Sequence, residues 1–221
     1  MRALGQPKVL KSAALAALFT AALCYPRLAL APQRLLPVWY LEAVLLLGGT
    51  FLWGFVFAWH TRYTARPVFV WKPEPVLFGW VTCLGIVGTL LLYLFLDPAL
   101  RGKIPEDYPR TGQQWLATTL FSLAFTQLFV VFAPYAWLVR LFQRPVLAGL
   151  LTVVFGVVVL GIKHHSSPVP VSSWLLSGLL VTRVVAGLLS VYFFLRGGVV
   201  LVWWWGLLLQ SRHLLQLWHG T

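Results

Sequence analysis

Acid–base chemistry in this 221-residue sequence would have to come from five carboxylates and five histidines. Hydrolysis or proton transfer needs a general base within hydrogen-bond reach of its substrate. The acids are Glu42, Glu74, Asp97, Glu106 and Asp107, and only Glu42 stands well inside an apolar run. The other four read as loop residues, three of them in the polar stretch DPALRGKIPEDYPRTGQQ. His164 and His165 are adjacent, and neighbours on a helix point about 100° apart, so the pair cannot face one metal together. No Cys, Asp or Glu stands at ligand spacing from them, and they read as part of a wet loop. His60, His213 and His219 sit singly near span ends, and none joins a serine and an acid as a triad requires. Neither a metal nor a cofactor is expected, since the glycine pairs lack the strand context of phosphate loops and dinucleotide fingerprints. Among the bases, Arg183 in GLLVTRVVAGLL lies deepest in an apolar run, where a charge costs roughly 2.5–3.5 kcal/mol on insertion scales. That depth asks for a partner or a purpose, and two are carried forward: a pair with Glu42, or contact with a ligand.

The elements that must position these residues follow from composition. The chain is 60% hydrophobic and 10% charged, with a mean hydropathy of +0.83, a balance that no water-facing domain of this size sustains. A bilayer core about 30 Å thick needs roughly 20 apolar residues per helix. The apolar runs predict spans near 12–25, 37–59, 75–96, 115–139, 146–162, 172–195 and 198–215. The expected architecture is an all-α, polytopic transmembrane bundle of six or seven spans, one integral membrane domain over residues 1–221. The first run follows Arg2, Lys8 and Lys11 as a signal peptide would, but Tyr25, Pro26 and Arg27 offer no small-x-small cleavage site, so it reads as an uncleaved anchor. Cys24 and Cys83 both fall in apolar runs and read as small buried hydrophobes rather than a disulfide. The net charge of +12 is spread through the loops, which suits headgroup contact with membrane lipids and excludes a nucleic-acid face. Nine Lys and Arg on the N-terminal side against seven on the other place the N-terminus in the cytoplasm. Tryptophans and tyrosines near span ends, such as Trp71, Trp115 and Trp174, suit headgroup anchoring. Gly85 with Thr89 is a weak small-x-x-x-small pair, and no dimer face is claimed from it.

Residues 132–142, FAPYAWLVRLF, open a series of segments whose order has a counterpart. A span and a DPALR…YPR loop precede LAFTQLFVVFAPYAWLVRLFQRP; LAGLLTVVFGVVVLGIKHHSSP and LLVTRVVAGLLSVYFFLRGGVVLVWWWGLLLQS follow. Over residues 76–218 this series resembles the CPBP group of glutamic intramembrane proteases, the CAAX-protease and bacteriocin-processing family, in its myxosortase-like bacterial branch. The resemblance implies a first motif of two Glu and an Arg, a second of Phe and His, and a final His with a polar partner. Here Tyr135 and Ala136 stand at the acid positions, with Arg140 at the arginine. Phe155 matches the phenylalanine, Val159 replaces the first histidine, Leu207 falls near the second and Ser211 near its polar partner. Taken by itself, Arg140 reads as a positive-inside anchor beside Arg144.

The framework without its chemistry predicts a catalytically degenerate homologue, a pseudoenzyme of a bacterial inner membrane. Its partner would be a transmembrane protein, a hydrophobic segment or an active protease paralogue. Two alternatives are an active endopeptidase that brings Glu42, His164 or His165 to the cavity, and a transport or assembly subunit in which Arg183 touches an anion or lipid.

Overall fold

Proline sets the start of four of the long helices, as suits a residue with a fixed φ and no N–H to leave unpaired. The structure is a computed structural model that describes residues 4–31, 36–104, 108–165 and 172–219. Helix α1 runs Pro7–Ala29, α2 follows Pro37 as Val38–Thr64, α3 is Pro75–Arg101 and α5 is Pro145–His165. Helix α4, Gly112–Phe142, starts instead at Thr111, whose hydroxyl oxygen accepts from the Gln114 N–H at 3.2 Å. Helix α6 is Ser173–Gln210, and a short α7, Arg212–His219, ends the described chain. No strand is present among the described residues, and six helices are long and apolar enough to cross a membrane. The protein is therefore an all-α, multi-pass membrane bundle. Its outer surface carries exposed Leu47, Trp80, Leu94, Val146 and Val181, side chains suited to acyl chains rather than water.

Helix α6 is too long for one crossing, since 38 residues at 1.5 Å each come to roughly twice the hydrocarbon thickness. Gly198 resolves this with φ 65° and ψ −164°, a conformation essentially reserved for glycine. The chain reverses there, so that residues 173–197 and 199–210 form two antiparallel arms. Gly178 on the first arm approaches Leu96 near the end of α3, and Trp204 on the second donates to Thr82 near the start of α3. The 25 residues of the first arm suffice for one crossing, whereas the 12 of the second come to roughly 18 Å, so the second arm alone does not make the seventh span that the apolar pattern predicts over 198–215.

The turn is held by the stretch between α2 and α3. The Val199 N–H donates to the Val68 carbonyl at 2.9 Å, Phe69 pairs with Gly198 in an isolated antiparallel bridge, and Arg66 Nη1 donates to the Leu195 carbonyl at 2.7 Å. Small residues let helices close elsewhere. Ala13, Ala17 and Ala21 of α1 are buried, Gly49 lies against Ala17, and the Trp53 indole donates to Thr20 at 2.9 Å. Gly85 and Thr89 form a similar seat inside the chain, where Leu208 packs on the glycine and the Thr89 hydroxyl donates to the Leu208 carbonyl.

Three sequence expectations change. Asp97 is not in a loop: a π-helical turn at Leu92–Leu96 carries α3 on through Arg101, and Asp97 is 3% exposed. Its two acidic companions, Glu106 and Asp107, lie outside the described residues. Glu42 stands only about one turn into α2, closer to the bundle end than its apolar run implied. Cys24 is buried as expected, whereas Cys83 is exposed on the outer face.

Candidate functional site

A cavity of about 160 Å³ lies between α4, α5, the two arms of α6 and the start of α7, lined by polar and small residues together with Val130, Val131, Val153, Trp205 and Leu209. Ser122, Thr126 and Gln127 reach it from α4, Thr152 and Gly156 from α5, Arg183, Gly187 and Ser190 from the first arm, Gly206 and Gln210 from the second, and Arg212 from the start of α7. Helix α4 is locally widened here by π-helical turns at Ser122–Thr126 and Leu128–Phe132, a form that recurs at functional sites. The Gln210 amide donates to Ser122 at 3.3 Å and stands with Arg212 at one end; Trp205 and Ser190 line the other. From Gln210 to Trp205 the second arm descends about 8 Å.

Arg183 sits on a wall of this cavity. Its Nε donates to the Gly156 carbonyl at 3.2 Å, and a Cβ on Gly156 would come within 3.2 Å of both Nε and Nη2. Gly156 is the space into which the guanidinium fits. The expected pair with Glu42 is not formed: among the described residues no carboxylate lies within ion-pair distance of Arg183. Glu42 instead lies within electrostatic reach of Cys24 on α1, and one of its oxygens is buried without a hydrogen bond. Gly156→Ala should therefore crowd the Arg183 head while leaving the helices packed. The expected result is a small change in unfolding temperature, with a far larger loss of any anion binding in a titration of the same protein.

At the end nearer Gln210, the cavity meets a polar cluster that sequence spacing did not reveal. Asp97 Oδ1 accepts from the Tyr108 hydroxyl at 3.0 Å, and Oδ2 accepts from the Gln216 amide at 2.8 Å. Arg212 Nε approaches both oxygens, at 3.3 and 3.2 Å, and its Nη1 donates to the Leu209 carbonyl. His213 lies 3.3 Å from the Gln216 amide oxygen and edge-on to Tyr108, so it is not an isolated histidine. The cluster binds α7 to the end of α3.

None of the seven positions matched to protease motifs lines the cavity that holds Arg183. Tyr135 and Ala136 are fully buried in α4, and Tyr135 packs beside His60 and edge-on to Phe194. Arg140 stacks over the Trp59 ring at 4.4 Å, a cation–π contact in place of a carboxylate pair. Phe155 meets Phe129 in an apolar recess of about 390 Å³ on the far side of the α4–α5 contact. Val159 and Leu207 are half-buried, and the Ser211 hydroxyl donates back to the Leu208 carbonyl at the α6–α7 junction. His165 is exposed at the end of α5, and the His164 side chain lies outside the described residues.

His60 and Tyr135 carry an unusual feature. Both His60 nitrogens and the Tyr135 hydroxyl are buried without a hydrogen-bond partner among the described residues. A buried, unmade hydrogen bond costs about 1–3 kcal/mol. Tyr135→Phe is therefore expected to raise the unfolding temperature in detergent; a drop would show that the hydroxyl holds a partner in the membrane.

The cavity did have a signal in the sequence. Ser122 and Thr126 follow i, i+4, and Arg183, Gly187 and Ser190 follow i, i+4, i+7, polar and small residues on single faces of apolar spans. Neither a family model, nor a curated protein, nor a solved structure matches the chain.

Proposed function

We propose that the chain is a membrane-embedded binding protein, a catalytically degenerate relative of CPBP proteases whose cavity holds one anionic group without cleaving a peptide bond. The observation that carries this is the placement of Arg183: a guanidinium in a cavity of mixed polar and apolar lining inside the bundle, with Gly156 making room for it and no carboxylate among the lining residues. A guanidinium presents a planar fork of donors matched to carboxylate and phosphate, and among the described residues only its Nε has a hydrogen bond. Hydroxyls and amides from Ser122, Thr126, Gln127 and Gln210 can complete the shell. The volume suits a single small group, since a cavity near 150 Å³ accepts a molecule the size of benzene. A peptide held for hydrolysis would need more space and a carboxylate base.

The resemblance supports the same reading from the other side. Tyr135 and Ala136 stand where the two acids belong, and Val159 and Leu207 where histidines belong, so the framework is present without its base. The resemblance points to a bacterial inner membrane, and the nine-to-seven excess of Lys and Arg supports an N-terminus in the cytoplasm. The group bound would belong to a lipid headgroup, a free anion or the carboxylate of a hydrophobic partner.

Purified protein in phosphatidylcholine nanodiscs is the test. Thermal stabilisation by inorganic phosphate or acetate, or by phosphatidylglycerol in the disc, is expected for the native chain and should vanish in Arg183→Gln. Cleavage of a C-terminally anchored peptide above a protein-free control would overturn the proposal, as would stabilisation that survives Arg183→Gln unchanged.

A further inference from the structure

Arg212 belongs to two places at once. It lines the cavity that holds Arg183, and its Nε contacts Asp97, which opens onto a separate recess lined by Tyr93, Arg101 and Gln216. The contact with Asp97 is weakly made. Charge-assisted N–H···O bonds run about 2.7–2.9 Å, and arginine pairs best through two parallel bonds; here a single nitrogen is shared between both oxygens at 3.2 and 3.3 Å. Asp97 holds its other partners more closely, Gln216 at 2.8 Å and Tyr108 at 3.0 Å, and Arg101 stands one helical turn away on the same recess. The carboxylate therefore keeps two donors and a nearby cation if Arg212 turns away. Arg212 has less to keep it, since beyond Asp97 only the Leu209 carbonyl accepts from it at 2.9 Å.

We propose that Asp97 is the resident anion of Arg212 and competes with the cavity's ligand for it, so that binding of a phosphate or carboxylate group beside Arg183 removes one of the two ties that hold α7 on Asp97 and loosens α7, leaving the Gln216 bond as the other. This rests on the anion-binding reading above and adds its regulation. Because the pair joins α7 to the rest of the bundle through residues 115 apart in sequence, occupancy inside the membrane is reported at the bundle end. Binding and clasp are then linked reciprocally: whatever weakens Asp97 on Arg212 tightens the ligand, and ligand loosens α7.

Two measurements on the full chain test this. In phosphatidylcholine nanodiscs, inorganic phosphate is titrated into the native protein, Asp97→Asn and Arg183→Gln, with a parallel series in which phosphatidylglycerol replaces part of the disc lipid. Asp97→Asn should bind the anion roughly tenfold more tightly, a usual size for coupling between two sites, while Arg183→Gln should not bind. The two series tell a free phosphate from a lipid headgroup as the source of the anion. The second measurement needs no variant: amide hydrogen exchange over residues 212–218 of the native protein, with and without saturating phosphate or phosphatidylglycerol. Faster exchange on binding is expected. Arg183-dependent binding with unchanged exchange at 212–218 and no gain in Asp97→Asn would overturn the competition while leaving the anion site standing. No Arg183-dependent binding in either series would remove the site itself, and the competition with it.

Discussion

Gly198→Ala is expected to be the most damaging single-methyl substitution in the molecule. The φ of 65° with ψ of −164° falls in a region where any side chain is strained, at about 1–3 kcal/mol. The added Cβ would also overlap the Val68 carbonyl oxygen, backbone that cannot turn aside, and would press on the Val70 N–H at 3.2 Å. Relief means moving residues 68–70 off the turn, which breaks the Val199–Val68 hydrogen bond and uncovers the Phe69 ring stacked on Trp53 and Trp71. The combined effect should exceed roughly 3 kcal/mol, the range reserved for strain at special backbone positions. Gly48→Ala is the control, because it sits in the interior of α2 with nothing within 4 Å of the new methyl. Alanine there should be neutral or gain up to about 1 kcal/mol from helix propensity. Thermal unfolding of both in the same detergent gives the comparison. Equal unfolding temperatures would mean that the two arms of α6 do not depend on this turn.

That turn also marks how far the sequence could be read. Apolar runs predicted the spans because a bilayer imposes one length on every helix, and the Arg196-Gly197-Gly198 break was visible as the one interruption in a long run. Length and composition give six helices able to cross, and the glycine pair divides the sixth into two arms. What could not be read was which residues meet. Asp97 appeared to belong to a polar loop because Pro98, Arg101 and Gly102 follow it, yet the helix carries it inward to partners 115 and 119 residues later. No local pattern encodes a contact over that separation. Glu42 and Arg183 looked like natural partners because both are charges in apolar runs, but one lies a single turn from the start of its helix and the other about three turns in, near the middle of the membrane. The series of segments from Tyr135 to Ser211 that resembles protease motifs does not line the cavity at any of its matched positions. The cavity lies beside it, on faces of the same helices that the motif does not name.

Arg183→Met should separate stability from function. A cation near the middle of a span costs roughly 2.5–3.5 kcal/mol to place, and one carbonyl at 3.2 Å with no counter-charge offsets only part of that. Methionine has a similar reach and a flexible, apolar stem, so it can lie in the space beside Gly156 without the charge. The variant is expected to unfold at a higher temperature, by an amount worth on the order of 1–2 kcal/mol, as when buried charges elsewhere are replaced by packed hydrophobes. Its stabilisation by phosphate or phosphatidylglycerol should be lost in the same preparation. Gain of stability with loss of ligand response is the pattern of a residue kept for binding at the expense of the fold. If Arg183→Met instead unfolds at a lower temperature, the guanidinium is a structural tie between α5 and the first arm of α6. The cavity would then be a gap left by that tie, and the function would have to be sought at the Asp97 cluster or the buried His60–Tyr135 pair.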